Sequence, residues 1–453
     1  MSSFSPNYAT LHQRALGASP ILDVDGIRKD LQTSGISASQ QRIKRAATRA
    51  AAFNQEDADI AQNVSLTMDS SADATLTRIY SSVAGANPLL NRTLFQVTRM
   101  TGGRPTFTED GTNRIVFPSA SIAPSTSGAN LSSNLLTTPS YNAWGWEVET
   151  VTDAAKVQFR LAGNTVSGIR VTVDGRYVSK AALNYANTNS QNYPTLVFPD
   201  RRPRVIRLEG AGGSGQLVSL AVAPTANCAR SEGPLDRVVA LCSGDSYSEG
   251  IGASIPGLFA WTKALGRRMG WSDTRIVAVG QTGYLSNSSG NRKPIRRQIA
   301  DWPVVNADIN MSDVDVVCVA GGFNDYSQAN VLTLLQAEVV ATIQAIRAMC
   351  PNAMIVIFGS HAGARGPDAQ TLNVEVLIQA GFAQAGDERT YYVPLAADAS
   401  PWTFGTGYVG ATNNSGNSDV AIAADGSHPS DLGHSIYSVR AAIALRSILS
   451  GVG

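Results

Sequence analysis

Leu241 to Gly250 read LCSGDSYSEG. The apolar run RVVALC, Arg237 to Cys242, leads into this stretch and stops at Gly244, so Asp245 and Ser246 are delivered at the end of a hydrophobic strand. Gly, Asp and Ser are also common turn formers, each for its own backbone reason, so the tripeptide alone does not tell a nucleophile from a polar turn. The surrounding texture helps. From about Leu235 the runs RVVALC, RIVAV, VDVVCVA, AMIVIF and YYVPL alternate with helical stretches at Ile255–Gly270, from about Gln328 to Met349 and from about Leu432 to Ser450. Continuous Val, Ile and Leu strands separated by helices predict a parallel sheet covered on both faces. In such sheets ligands bind outside the carboxyl ends of the strands.

Those ends carry unusual residues. The first ends in Gly244-Asp245-Ser246, the second in VGQTGY with Gly280 and Gly283, and the third in AGGFND with Asn324 and Asp325. DGSHP places Asp425 and His428 just before the final helix. A serine in GDS, a glycine, an asparagine in GxND and a histidine in DxxHP, in that order, resemble the SGNH (GDSL-type) hydrolase family. The resemblance covers about the last half of the chain, and its specificity lies in the set, since any one block alone is weak.

A serine hydroxyl needs an imidazole to take its proton as it attacks an ester carbonyl, and the imidazole needs a carboxylate to fix its tautomer. Ser246 is the candidate nucleophile, His428 the base and Asp425, three residues earlier, the group that orients it. By resemblance, the backbone N–H groups of Ser246 and Gly283 and the side-chain amide of Asn324 form the oxyanion hole, with Gly280 as the alternative glycine. Asp245 and Asp325 read as loop-bracing acceptors. Tyr247, His361 in the loop after AMIVIF, and Trp402 are candidate substrate contacts. Trp402 lies in the loop Pro401–Asp419, whose aromatic, Gly, Asn and Ser residues suit either a sugar-binding wall or a packed surface loop. His434, inside the last helix, reads as structural and forms no HExxH with His428, so a zinc protease is excluded.

The rest of the chain has two other textures. Residues 86–228 show period-two runs broken by turns, with Asp174-Gly175 as a hairpin signal, the pattern of an antiparallel β-sandwich. Within them GAGGSG satisfies GxGxxG, but a strand-like QLVSLAVAP follows where a dinucleotide site needs a helix, so a glycine-rich hairpin is the expectation. Residues 1–85 are polar and Ala-rich, and SASQQRIKRAATRAAAFNQEDADIAQ predicts a helix whose alanine stripe buries little alone. That segment is expected to pack on a partner chain or serve as a loose leader. The expected architecture is therefore an α/β SGNH-like domain at 235–453, preceded by a jelly-roll-like sandwich at 86–228 and a helical attachment or oligomerisation segment at 1–85.

The 453 residues carry a net charge of +1, which gives no reason to expect nucleic acid or an anionic membrane as partner. The four cysteines have no zinc-like spacing, so no metal and no cofactor is expected, and a Cys228–Cys242 bridge is weakly supported. No N-terminal apolar core suggests a secretory signal, and no apolar run suggests membrane insertion. A sandwich ahead of an SGNH domain is similar to carbohydrate esterases and to phage tail deacetylases. The expectation is an O-acetylesterase acting on a bacterial surface polysaccharide from a virion, as a homo-oligomer, with a trimer suggested by tail-protein analogy, or bound to other tail proteins. The competing readings are a cytoplasmic carboxylesterase or lipase acting on small acyl esters, and a non-catalytic glycan-binding virion protein.

Overall fold

The computed structural model describes residues 38–81, 145–162, 167–185, 192–211, 216–230, 237–287, 292–306, 309–363, 366–404 and 416–451, with strand fragments at 96–100, 106–107, 115–116, 129–130, 133–135 and 141–143. Five strands, β1 (Val239–Gly244), β2 (Asp273–Ile276), β3 (Val316–Ala320), β4 (Met354–Phe358) and β5 (Thr390–Val393), form one sheet in the order β2-β1-β3-β4-β5. Every pairing in it is parallel. The direction of winding reverses between β1 and β3, so the crevice outside their carboxyl ends is where a ligand site belongs.

The apolar runs are continuous because each strand is buried on both faces. Cys242, Cys318 and Val356 pack toward Trp261, Leu265, Tyr437 and Leu445 of the helices Trp261–Arg268 and Asp431–Gly451. Leu241, Val317 and Ile355 point the other way, to Leu335, Val339, Ile343 and Ile378 of Val331–Met349 and Ala369–Ala385. The helix Val331–Met349 is long and apolar enough to span a membrane by composition, and here it packs on the sheet. The helix Ala369–Ala385 is missing from the sequence reading. Its residues do not sort into an apolar stripe, since Val376 is exposed while Glu375 is buried. Glu375 instead accepts backbone N–H groups from Ser360, Leu395, Ala396 and Ala397, tying the ends of β4 and β5 together.

Ahead of this domain lie two antiparallel sheets whose inner faces, Val157, Phe159, Leu196 and Leu220 from one and Val148, Ile169, Val171 and Leu208 from the other, share a core. The Asp174-Gly175 turn has positive φ at both residues, as a tight hairpin requires. Strands Ser65–Asp69 and Thr77–Ser81 pair within the sandwich, which therefore begins before residue 86. The glycine-rich segment after Arg204–Ala211 is not a hairpin: that strand and Gln216–Val222 lie in different sheets, and residues 212–215 themselves lie outside the described residues. All four cysteines are free, so the Cys228–Cys242 bridge is absent, and Cys228 donates to Thr152 Oγ1 at 3.1 Å.

The alanine-rich helix spans Ala38–Ala52, and its stripe is covered by its own chain. Ile43, Ala46 and Ala47 pack with Met269 and Trp271, while Ser39 Oγ and Arg42 bond the buried Asp315. Neither a partner chain nor a loose leader is needed to explain this helix. Residues 1–37, most of residues 120–140 and loop residues 405–415 lie outside the described residues. Where the sandwich meets the α/β domain, Arg267 bridges Glu209 (3.0 Å), Glu56 (3.0 Å) and Glu147 (3.3 Å), and Arg170 reaches Glu209 (3.1 Å) and the Leu258 carbonyl (3.0 Å).

Candidate active site

At the end of β1 the chain turns through Gly244, whose φ is 151°, and a Cβ there would sit 2.2 Å from the Ala320 carbonyl oxygen of β3. Only glycine permits that approach. Asp245 then caps the short helix Ser246–Glu249 by accepting the Tyr247 N–H at 3.0 Å, which leaves Ser246 at the first helical position on the rim. Amides in the first helical turn have no intrahelical partner, so the Ser246 N–H is available in kind to an anion.

Ser246 Oγ lies 2.7 Å from His428 Nε2, and His428 Nδ1 lies 2.6 Å from Asp425 Oδ2. The other Asp425 oxygen accepts the N–H groups of Ser427 and His428, both at 2.9 Å, so the DGSH turn organises itself before the last helix begins. Burial alone would raise the Asp425 carboxyl, but these hydrogen bonds outweigh it and hold the group below its usual range. With Nδ1–H donating to a carboxylate, Nε2 is left as acceptor for the serine hydroxyl. Such a relay can move a proton from a serine to a leaving group.

Asn324, in the turn after β3, reaches toward Asp245, the residue before Ser246. Its amide donates to the Thr282 carbonyl at 2.9 Å and reaches Asp245 at 3.4 Å, so one proton is committed and the other is weakly held. Asp325 accepts three backbone N–H groups, from Tyr284, Leu285 and Ser286, each at 2.8 Å, and is the brace of the loop after β2. The Gly283 assignment does not survive. Its N–H donates to the Ser286 carbonyl at 3.1 Å, and its Cα faces the Asp325 carboxylate. Gly280 is the glycine beside Ser246, where an added Cβ would lie 3.4 Å from Ser246 Cβ.

The three candidate substrate contacts are corrected too. Tyr247 is fully buried, stacks on His361 with centroids 4.1 Å apart, and donates its hydroxyl to the Ser427 carbonyl beneath the Asp425–His428 turn. His361 is sandwiched between Tyr247 and Tyr437, and burial pushes its imidazole down to about 3, so it is a neutral core residue. Trp402 packs against Phe358 and Tyr437 and is buried, as the packed-loop alternative has it. His434 is structural: Nδ1 accepts the Trp261 N–H at 3.3 Å and Nε2 meets the Ile251 carbonyl at 3.1 Å. Among the described residues no group of His, Cys, Asp or Glu is arranged to hold a metal.

Sequence reasoning missed Glu249 and Arg292, both of which lie against Gly280. The signal for Glu249 was its place one helical turn after Ser246, but that turn exists only once Asp245 caps it. Arg292 carried no signal, because it reaches Gly280 from across a loop.

A parallel sheet with a serine, an imidazole and an amide gathered at its switch point is the architecture of an α/β serine hydrolase. Residues 242–436, 195 of the 453, match the model of the GDSL-like Lipase/Acylhydrolase family, and this segment has an SGNH-like α/β fold. No curated protein matches the chain in sequence. Among solved structures, a family two carbohydrate esterase from Cellvibrio japonicus shares the fold at 14% identity and a TM-score of 0.52, over 86% of this chain and all of that one. A family two carbohydrate esterase from Clostridium thermocellum, in complex with cellohexaose, is similar at 14% identity and a TM-score of 0.50, over 68% of this chain and 93% of that one. An acetyl xylan esterase from the rumen bacterium Butyrivibrio proteoclasticus is similar at 12% identity and a TM-score of 0.50, over 85% and 99%. All three likenesses cover more of the chain than residues 242–436 do.

Proposed function

We propose that the protein is a serine esterase that removes O-acetyl groups from a polysaccharide. The observation that carries this is the unbroken relay Ser246–His428–Asp425 with Asn324 beside it. Ser246 Oγ attacks the acetyl carbonyl while His428 Nε2 takes its proton, and the oxyanion forms facing the Ser246 N–H and the Asn324 amide. The imidazolium returns the proton to the departing sugar oxygen, leaving an acetyl-serine. Water, deprotonated by the same imidazole, then releases acetate and restores the hydroxyl.

The shared fold with carbohydrate esterases supports a glycan substrate, and the exposed Asp425 and partly exposed His428 beside the buried Ser246 support a bulky one. What supports a phage-tail setting and a bacterial surface polysaccharide is the domain order, a sandwich ahead of the hydrolase domain. The test is acetate release from a small acetyl ester and from acetylated polysaccharide, with wild type beside Ser246→Ala. Release that falls by about 10⁴ or more in the variant bears the proposal out. Equal release by both proteins, or none by either, refutes it, and a preference for long acyl chains would turn the reading to a lipase.

A further inference from the structure

Gly280 is gripped at both of its backbone polar groups. Its N–H donates toward the Glu249 carboxylate, and its carbonyl accepts from Arg292 Nη1. Glu249 ends the helix that Ser246 begins, is 2% exposed, and lies so close that a Cβ on Gly280 would be 2.7 Å from its Oε2. The other oxygen, Oε1, is buried and has no hydrogen-bond partner among the described residues. Burial pushes the Glu249 carboxyl up to about 7, against the lowering effects of the Gly280 N–H and Arg292. A carboxyl held in so unfavourable a place needs a reason, and Gly280 supplies one, since it stands directly beside the nucleophile.

We propose that Glu249 and Arg292 are a positioning pair that clamps Gly280 and thereby holds the turn after β2 against Ser246, deepening the esterase reading on which it rests. The next residue supports this. Gln281 has a φ of 62°, in the left-handed region that a non-glycine residue occupies only when its surroundings impose it. Because the C=O and N–H of one peptide point in opposite directions, Arg292 on the Gly280 carbonyl sets the direction of the Gln281 N–H as well. Glu249 ties that same turn to the helix that carries the nucleophile. Neither side chain touches the reacting atoms; they act through the backbone.

The test compares Glu249→Leu, which removes the acceptor, with Glu249→Gln, which keeps an oxygen for the Gly280 N–H. Two readouts are used: kcat and KM on a small acetyl ester, and the rate at which a fluorophosphonate labels Ser246. The Leu variant is expected to lose about 10- to 100-fold in kcat and in labelling rate with KM within about twofold, as expected for a misplaced active-site wall. The Gln variant should recover kcat to within about threefold of wild type. Retention of kcat by the Leu variant, or equal losses in both, overturns the clamp. Should the Leu variant not fold, Arg292→Ala serves: a loss in kcat at unchanged KM is expected, and an unchanged kcat overturns the proposal. Wild type that labels but releases no acetate sinks the esterase reading alone, and the clamp is then judged on labelling rates. Wild type that does neither sinks both.

Discussion

At the seam between the sandwich and the α/β domain, Glu56, Glu147 and Glu209 lie within ion-pair distance of Arg267, and Arg170 adds a second guanidinium. Beneath Ser246, Asp245, Glu249 and Asp325 are equally buried, yet among the described residues none of them forms an ion pair. The two regions resolve the cost of burial in opposite ways. At the seam burial would raise Glu56, but Arg170, Arg267 and Arg268 outweigh it and the carboxyl is held below its usual range. Under Ser246 burial wins, pushing Asp245 up to about 8 and Glu249 up to about 7. Glu56 is held ionised there, and the ion pairs tie the two domains in one arrangement. Raised by burial, Asp245 and Glu249 place less negative charge beneath Ser246, where it would oppose a developing oxyanion.

Neutral isosteres in the two regions should therefore behave differently. The largest effect is expected from Glu209→Gln, which removes the buried carboxylate that Arg170 and Arg267 share at the seam and should cost about 3 to 5 kcal/mol in denaturant unfolding. A cost below about 1 kcal/mol would erase the contrast. Next in size is Asn324→Ala, which removes one donor from the rim and should raise the barrier by about 2.7 to 4 kcal/mol, read as kcat, while leaving stability nearly unchanged.

Asp245→Asn is the counterpart of Glu209→Gln. The folded carboxyl holds its proton up to about 8, whereas the unfolded one loses it near 3.8. Between those values the folded state binds more protons, so wild-type stability drains as pH rises through that window. The asparagine keeps the cap and removes that slope, so the variant should gain on wild type from pH 5 to pH 8 in thermal melts. A parallel pair of curves would mean that Asp245 is ionised in the fold.

The smallest effect should come from His361→Phe, which keeps the stack between Tyr247 and Tyr437. The folded imidazole titrates at about 3 and an ordinary one at 6.5, so the unfolded state binds more protons in between, and stability falls as pH falls through that range. The phenyl variant should lose less stability on acidification from pH 7 to pH 4.5. A slope equal to that of wild type would place the acid sensitivity elsewhere, with His434, pushed down to about 4 by burial, the next group to replace.

The parallel sheet and the turn Asp425–His428 were legible because their signals are local. An all-apolar strand reports burial on both faces, and a carboxylate three residues before a histidine closes its own turn. The helix Ala369–Ala385 was not legible, since its buried Glu375 answers to backbone groups on β4 and β5 and not to any helical period. The early sandwich strands were hidden for a related reason: Ser65–Asp69 is an edge strand whose pairing partner, Tyr193–Val197, lies far along the chain.

By itself, then, the sequence determined the class of sheet, the order of the serine, asparagine and histidine blocks, and the rim on which they meet, because strand period and strand-end chemistry are written in neighbouring residues. Only the tertiary structure decided that Tyr247, His361 and Trp402 lie behind the site, that Gly280 and not Gly283 stands beside Ser246, and that the alanine stripe of Ala38–Ala52 is covered by its own chain. Burial and hydrogen-bond partners are set by segments up to hundreds of residues apart, as with Ser39 and Asp315, and no local pattern carries that information.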